Sequence, residues 1–188
     1  MPPELLDSQK IFHGAVFDVE RDRLLEENGV EIVREVVRHP GGAGALPLLD
    51  DGRVVLVRQY RHPARRELLE IPAGRIEDGE GPEMCAAREI EQEIGLRAGR
   101  IEKLAEFYST PGFCDEILHV YLATDLIPSS RSLDPDEFIE VVHLPFADAL
   151  KMAERGGIED AKTFVALLMT ERLRSIAGAP YRPTAGYQ

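Results

Sequence analysis

A mixed α/β fold is what this sequence predicts, and three observations predict it. Short β-branched runs bounded by Asn-Gly, Asp-Gly and Pro-Gly signals recur along the chain, one stretch with helical spacing carries both end signals, and two more helical stretches close it. The 188 residues suit one domain with a small appendage. That length buries roughly 70% of the unfolded surface, so neither disulfide nor metal is needed to hold a core.

The first 38 residues read as strands. Phe12, Val16, Phe17 and Val19 precede Leu24 and Leu25, Glu27-Asn28-Gly29 is a hairpin signal, and Val30, Ile32, Val33, Val36 and Val37 form a strand ended by Pro40-Gly41-Gly42. Two or three strands alone are marginal in water, so this block must pack on the rest of the chain or on a second copy of it. From residue 43, Leu46-Pro-Leu-Leu and Val54-Val-Leu-Val flank Asp50-Asp51-Gly52 as a second hairpin, and Leu68 to Ile71 is a short strand ended by Pro72-Ala73-Gly74.

A helix follows from Pro82 to Ile94, with Pro82 at the first helical position, Glu83 in the first turn and Gly95 as the stop. Strands return over Ile101–Tyr108, Ile117–Ala123 and Phe138–His143. Helices then run over Phe146–Arg155 and Ile158–Ile176, and the Gly- and Pro-containing tail reads as a loose arm.

Charge excludes several partners. Lys and Arg number 22 against 34 Asp and Glu, a net charge of −12. Such a surface repels nucleic-acid backbones and anionic membranes. An anionic substrate would require the chain to reverse its own field locally, with a divalent cation or a few placed arginines. Cys85 and Cys114 are far apart and in no metal-ligand spacing, which suits a reducing cytoplasm. The start Met1-Pro-Pro-Glu has no signal-peptide pattern, and no run approaches the ~20 apolar residues that span a bilayer. A cytoplasmic protein is the expectation.

The most informative stretch is Gly74 to Leu96. On a helix, Glu89 and Glu93 lie one turn apart on one face, with Gln92 beside them. Adjacent carboxylates repel, by a few tenths of a kcal/mol on an exposed helix, unless a cation sits between them. Mg²⁺ binds through one or two carboxylates plus water and phosphate oxygens, so the pair is a candidate site. On charge alone, an acidic solvated face is the commoner reading.

Spacing changes that balance. Gly74, Glu80, Arg88, Glu89, Ile90, Glu93, Gly95 and Leu96 fall on the box of the Nudix hydrolases, which this chain resembles. One position departs: Gln92 stands where the family has the first Glu of a Glu-Glu pair, keeping the shape and an acceptor oxygen without the charge. The resemblance implies metal binding by Glu89, Glu93 and the backbone carbonyl of Ala73. Gln92 occupies the position that more often helps through water or a further ion, so weakened metal binding is expected. The implied cofactor is Mg²⁺, with Mn²⁺ or another divalent ion as an alternative.

Val57-Arg-Gln-Tyr-Arg61, Glu70-Ile-Pro-Ala-Gly74 and the loop Ser109 to Glu116, with Pro111 sixteen positions after Gly95, resemble the ADP-ribose pyrophosphatase branch of that family. Metal-bound carboxylates are poor bases, so a separate one must take the proton of the attacking water. The resemblance assigns that role to Glu116, with Asp115 as the rival, on a loop with Gly112 that a closing site would use. It further implies Arg61 as a diphosphate contact and Arg34 reaching across from a partner subunit. The aromatics Phe12 and Phe17 are candidates for stacking on adenine, although strand aromatics are more often core. Arg88 is expected to be structural, pairing with an acid such as Glu80, and the histidines are given no role.

The expected architecture is therefore a Nudix α/β/α sandwich. Residues 1–40 form a small N-terminal β-sheet exchanged in a homodimer, residues 41–177 the catalytic domain, and residues 178–188 a flexible tail. The expected reaction is metal-dependent hydrolysis of ADP-ribose to AMP and ribose 5-phosphate. The rivals are hydrolysis of another nucleoside-diphosphate sugar and a non-catalytic nucleotide-binding module, the latter favoured only by Gln92.

Overall fold

Asn28-Gly29 does form a hairpin: Gly29 adopts φ +80°, and its N–H and that of Glu26 close the turn. It joins β2 (Asp18–Leu25) to β3 (Glu31–Arg38), and β1 (Glu4–His13) adds antiparallel to β2, giving a sheet of order β1-β2-β3. The first strand starts at Glu4, ahead of the expected Phe12, and Val16 and Phe17 fall in the connecting turn, where the Gly14 N–H donates to the Phe17 carbonyl. Every residue of β1 is exposed. The computed structural model describes residues 1–133, 135 and 137–176; the expected tail at 178–188 lies outside these residues.

The main body holds two further sheets. β4 (Gly42–Pro47), β7 (Ala73–Arg75), β8 (Leu96–Tyr108) and β9 (Ile117–Pro128) form a sheet of order β7-β4-β9-β8. β5 (Arg53–Arg61), β6 (Arg66–Glu70) and β10 (Ile139–Pro145) form the other, of order β10-β5-β6. The helices are α1 (Pro82–Ile94), α2 (Phe146–Glu154) and α3 (Ala161–Ile176). Among the described residues, no helix is long and apolar enough to cross a membrane.

Strand pairing corrects one local expectation and extends another. Leu46-Pro-Leu-Leu and Val54-Val-Leu-Val are not a regular hairpin, because β4 is fully buried and flanked by β7 and β9, which leaves no edge for β5. The turn itself closes, with the Gly52 N–H on the Leu49 carbonyl and the Leu49 N–H on the Arg53 carbonyl, but the pairing runs no further than the isolated bridge Leu48–Val54. The strand before Pro72-Ala73-Gly74 does end there, β6 stopping at Glu70, but a new strand begins within the triplet. Pro72 lacks the N–H to continue the β6 ladder, and the chain changes sheets so that Ala73 pairs with Gly44 and Gly74 with Ala43.

The helix ends follow their signals. Pro82 opens α1, and Gly95, at φ +67°, closes it by donating its N–H to the Glu91 carbonyl at 3.0 Å. The start of α3 comes at Ala161 rather than Ile158, because Ile158 is buried in the core and the Asp160 carboxylate caps the helix through the Thr163 N–H at 2.9 Å.

Alternation along the central strands gives the sheet two different faces. Ala43, Ala45, Tyr121 and Ala123 meet Cys85, Ala86 and Ile90 of α1. Leu46 and Val120 point the other way, into a core shared with Phe146, Leu150, Ala166 and Leu167 of α2 and α3. Helices thus cover both sides, an α/β/α sandwich. The α1 face is lined with alanines, which lets α1 approach the sheet closely. Ala123→Leu should therefore overpack that layer and cost roughly 1–3 kcal/mol in chemical denaturation, with a further loss of activity because α1 carries the carboxylates.

Candidate active site

Close packing of α1 buries its acidic face. Glu89 is 7% and Glu93 2% exposed. The strand that covers them must be smooth: a Cβ at Gly74 would overlap Glu89 Oε1, so the first glycine of the motif is a space requirement. One residue earlier, the Ala73 N–H donates to Glu93 Oε2 at 3.2 Å.

Charge in this setting is unfavourable. Burial pushes the Glu93 carboxyl up, and the neighbouring charges of Glu89 and Glu137 push it further, to about 8. Burial also raises Glu89, against the pull of Arg88. Arg88 bonds Glu80 through Nε at 2.9 Å and Nη2 at 3.0 Å, as the sequence led us to expect, and its Nη1 reaches both Glu89 Oε1 at 2.6 Å and Gln92 Oε1 at 3.0 Å. The Gln92 oxygen thus stands on the arginine, where a carboxylate would compete with Glu89 for the same donor.

The donor set suits a hard divalent cation. Two oxygen ligands with displaced protons, beside the peptide of Ala73, are what such an ion would stabilise. Among the described residues, no group of three or more His, Cys, Asp or Glu is placed to hold a metal. A pair of carboxylates is enough for Mg²⁺ when water and phosphate complete the shell.

A cavity of about 380 Å³ opens against the same Ala73–Gly74 strand. Its wall includes Arg61, Glu70, Arg75, Glu116 and Lys162. Glu116 therefore faces the box strand, whereas Asp115 is occupied, accepting from Arg38 Nη1 at 3.2 Å and the His39 N–H at 2.8 Å. Arg61 forks onto Glu70, with both Nε and Nη2 at 2.7 Å. Burial would raise the Glu70 carboxyl, but the hydrogen bonds of Arg61 and the charge of Lys162 outweigh it and hold it at about 2. Arg34 and Gly112 are not brought to this cavity; they line a separate recess of about 360 Å³ with Tyr108 and Phe113. Phe12 and Phe17 pack on each other, ring centroids 5.8 Å apart, and are both exposed rather than core.

Sequence reasoning missed several residues here. His39 and His119 line the cavity, and His39 Nδ1, which accepts the Gly41 N–H at 3.1 Å, lies 3.4 Å from Glu116 Oε1. Lys162 is one of only four lysines, and no spacing ties it to the acidic helix 70 residues earlier. Glu137 bears on both Glu89 and Glu93 through its charge; the acidic run Asp134-Pro-Asp-Glu137 was the available signal.

A family model described as NUDIX domain matches residues 38–167. The chain is 44% identical over 161 residues to an ADP-ribose pyrophosphatase of Bacillus subtilis (strain 168), covering 85% of this chain and 87% of that one. It is 37% identical over 164 residues to a methanol dehydrogenase activator of Bacillus methanolicus, covering 86% and 89%. A crystal structure of an ADP compounds hydrolase superposes with a TM-score of 0.84 at 24% identity, over 96% of this chain and 98% of that one, which shows a shared fold.

The raised carboxyl has a measurable consequence. Unfolded, Glu93 loses its proton near 4.5, while folded it keeps it to about 8. Its contribution to stability is present below pH 4.5 and lost as pH rises through 8. In chelator, the thermal midpoint should fall across that window. Added Mg²⁺ should flatten the fall, and Glu93→Gln should remove Glu93's share of it; an unchanged profile in the variant would sink the assignment.

Proposed function

The chain belongs to the Nudix family, and on that premise we propose that it hydrolyses the diphosphate of ADP-ribose to AMP and ribose 5-phosphate. The observation that carries this reading is the buried pair Glu89 and Glu93, one turn apart on α1 and covered by the Gly74 strand that also walls the cavity. The similarity to the B. subtilis ADP-ribose pyrophosphatase, over most of both chains, supports the substrate.

The family works with divalent metal ions, and we assign Mg²⁺, for which the all-oxygen donors are suited; Mn²⁺ is the alternative. Glu89, Glu93 and the Ala73 carbonyl would hold it, with Gln92 beside them. A bound ion neutralises the diphosphate and acidifies the attacking water. This resolves the charge problem of a chain at −12 that takes an anionic substrate.

Glu116 accepts the proton of the attacking water, since it faces the cavity and Asp115 is held by Arg38. Arg61 lines the same cavity and contacts the diphosphate, while Glu70 orients its guanidinium. Arg34, with Gly112 in the second recess, acts at a subunit boundary. A homodimer with exchanged N-terminal sheets is supported by β1, whose exposed Leu5, Leu6, Ile11 and Phe12 find no cover in one chain. Residues 1–40 are then the dimerising unit and 41–177 the catalytic one. Two free cysteines accord with a cytoplasmic setting.

Incubation with ADP-ribose and Mg²⁺ should release AMP. Binding without AMP would establish the nucleotide-binding module that Gln92 favours, and faster turnover of another nucleoside-diphosphate sugar would move the substrate. Glu116→Ala should lower turnover by roughly 10²–10⁴. A change under tenfold would pass the role to Glu137, whose charge bears on both metal-side carboxylates, or to Asp115. Gln92→Glu should tighten the metal dependence of activity; equal metal affinity and turnover would refute a cost from Gln92.

A further inference from the structure

Residues 71, 72 and 73 are each held by a different element. The Ile71 N–H donates to Thr163 Oγ1 of α3 at 2.7 Å. The Pro72 carbonyl accepts the Ala45 N–H of β4 at 3.1 Å, and a Cβ at Gly44 would stand 2.7 Å from that same oxygen. The Ala73 N–H goes to Glu93 of α1. α1 carries the carboxylates and β4 pairs with the strand that covers them; the first turn of α3 borders the cavity through Asp160 and Lys162.

That turn is unusually well tied. Asp160 Oδ2 accepts both the Thr163 N–H at 2.9 Å and its hydroxyl at 2.5 Å, so the hydroxyl donates to Asp160 and accepts from Ile71. Asp160 Oδ1 accepts from Lys162 Nζ at 2.8 Å, and the same Nζ donates to Glu70 Oε2 at 2.5 Å. Thr163 is 0% and Glu70 1% exposed. Because Pro72 has no N–H, the backbone donor that steadies the approach to Ala73 is that of Ile71.

We propose that the Asp160–Thr163 turn is a positioning device for the divalent-cation site, with Thr163 and Lys162 holding residues 70 and 71 so that the Ala73 peptide stays in register with Glu93. The inference rests on the metal reading above. Small divalent cations tolerate little error in ligand position, and outer residues that orient ligands typically affect metal affinity by about 10–100-fold. Removing the Thr163 hydroxyl leaves a buried Ile71 N–H unpaired; the segment then shifts to find a partner, and the shift reaches Ala73 two residues on.

The test is Mn²⁺ binding to the full chain without substrate, followed by electron paramagnetic resonance, alongside the thermal midpoint. Thr163→Val should weaken Mn²⁺ binding roughly tenfold or more, and Thr163→Ser should restore it to within about twofold. Thr163→Ala, which removes the hydroxyl without altering any charge, should weaken it in the same direction, and it decides the matter if Thr163→Val does not fold. A lowered midpoint with Mn²⁺ affinity within about twofold of the unmodified chain, in whichever variant is read, would overturn the proposal and leave the turn a purely structural clasp. If the unmodified chain itself bound no Mn²⁺, the metal reading would fall and this inference with it; unmodified binding with unaffected variants refutes the inference alone.

Discussion

The burial of two carboxylates one helical turn apart is the constraint on which the rest of the structure depends. Glu89 and Glu93 lie under a strand with almost no access to solvent, in a place where ionising both is opposed by desolvation and by their mutual repulsion. An acidic face of that kind would be easiest to satisfy in water. Here the alanine-lined side of the central sheet draws α1 inward, Gly74 leaves room for the Glu89 carboxylate, and Arg88 supplies one fixed positive charge across Glu80, Glu89 and Gln92. One arginine does not balance the set, and the imbalance is what fits it to a divalent ion and a polyanionic substrate.

The surroundings divide into groups that face this imbalance and groups that are already neutralised. Glu70 is paired with both Arg61 and Lys162 and holds its charge firmly, so it acts as an anchor for the segment leading into the box. Asp115 is likewise consumed by Arg38. Glu116, its neighbour in sequence, reaches the cavity instead. Adjacent carboxylates on one loop thus stand in different surroundings, one paired with Arg38 and one lining the cavity. The N-terminal sheet poses a different problem: its strands satisfy one another's hydrogen bonds, yet its outermost strand buries nothing within a single chain.

Much of this was legible in the residues. The helix from Pro82 to Ile94, its Gly95 stop and the shared face of Glu89 and Glu93 follow from local chemistry, since a period of 3.6 and a left-handed glycine depend on neighbours only a turn away. The Asn28-Gly29 hairpin is equally local. The misreading and the omission share a cause. Leu46-Pro-Leu-Leu and Val54-Val-Leu-Val looked like hairpin partners because they are close in sequence, but β4 takes its partners from β7 and β9, the latter some 75 residues away. Pro72-Ala73-Gly74 does end the β6 ladder; only the third dimension shows that the chain at once begins another.

The sequence by itself therefore determined the helix, its carboxylates, the glycine that opens the motif and the family to which the spacing points, because each depends on residues within one turn or on a fixed interval along the chain. Tertiary structure alone decided which of Asp115 and Glu116 faces the cavity, that Arg61 and Lys162 share Glu70, that Gln92 leans on Arg88, and that the first turn of α3 grips the strand before Ala73. These are contacts between segments tens of residues apart, and their partners are chosen by the layering of sheet and helix rather than by any interval that can be counted in the sequence.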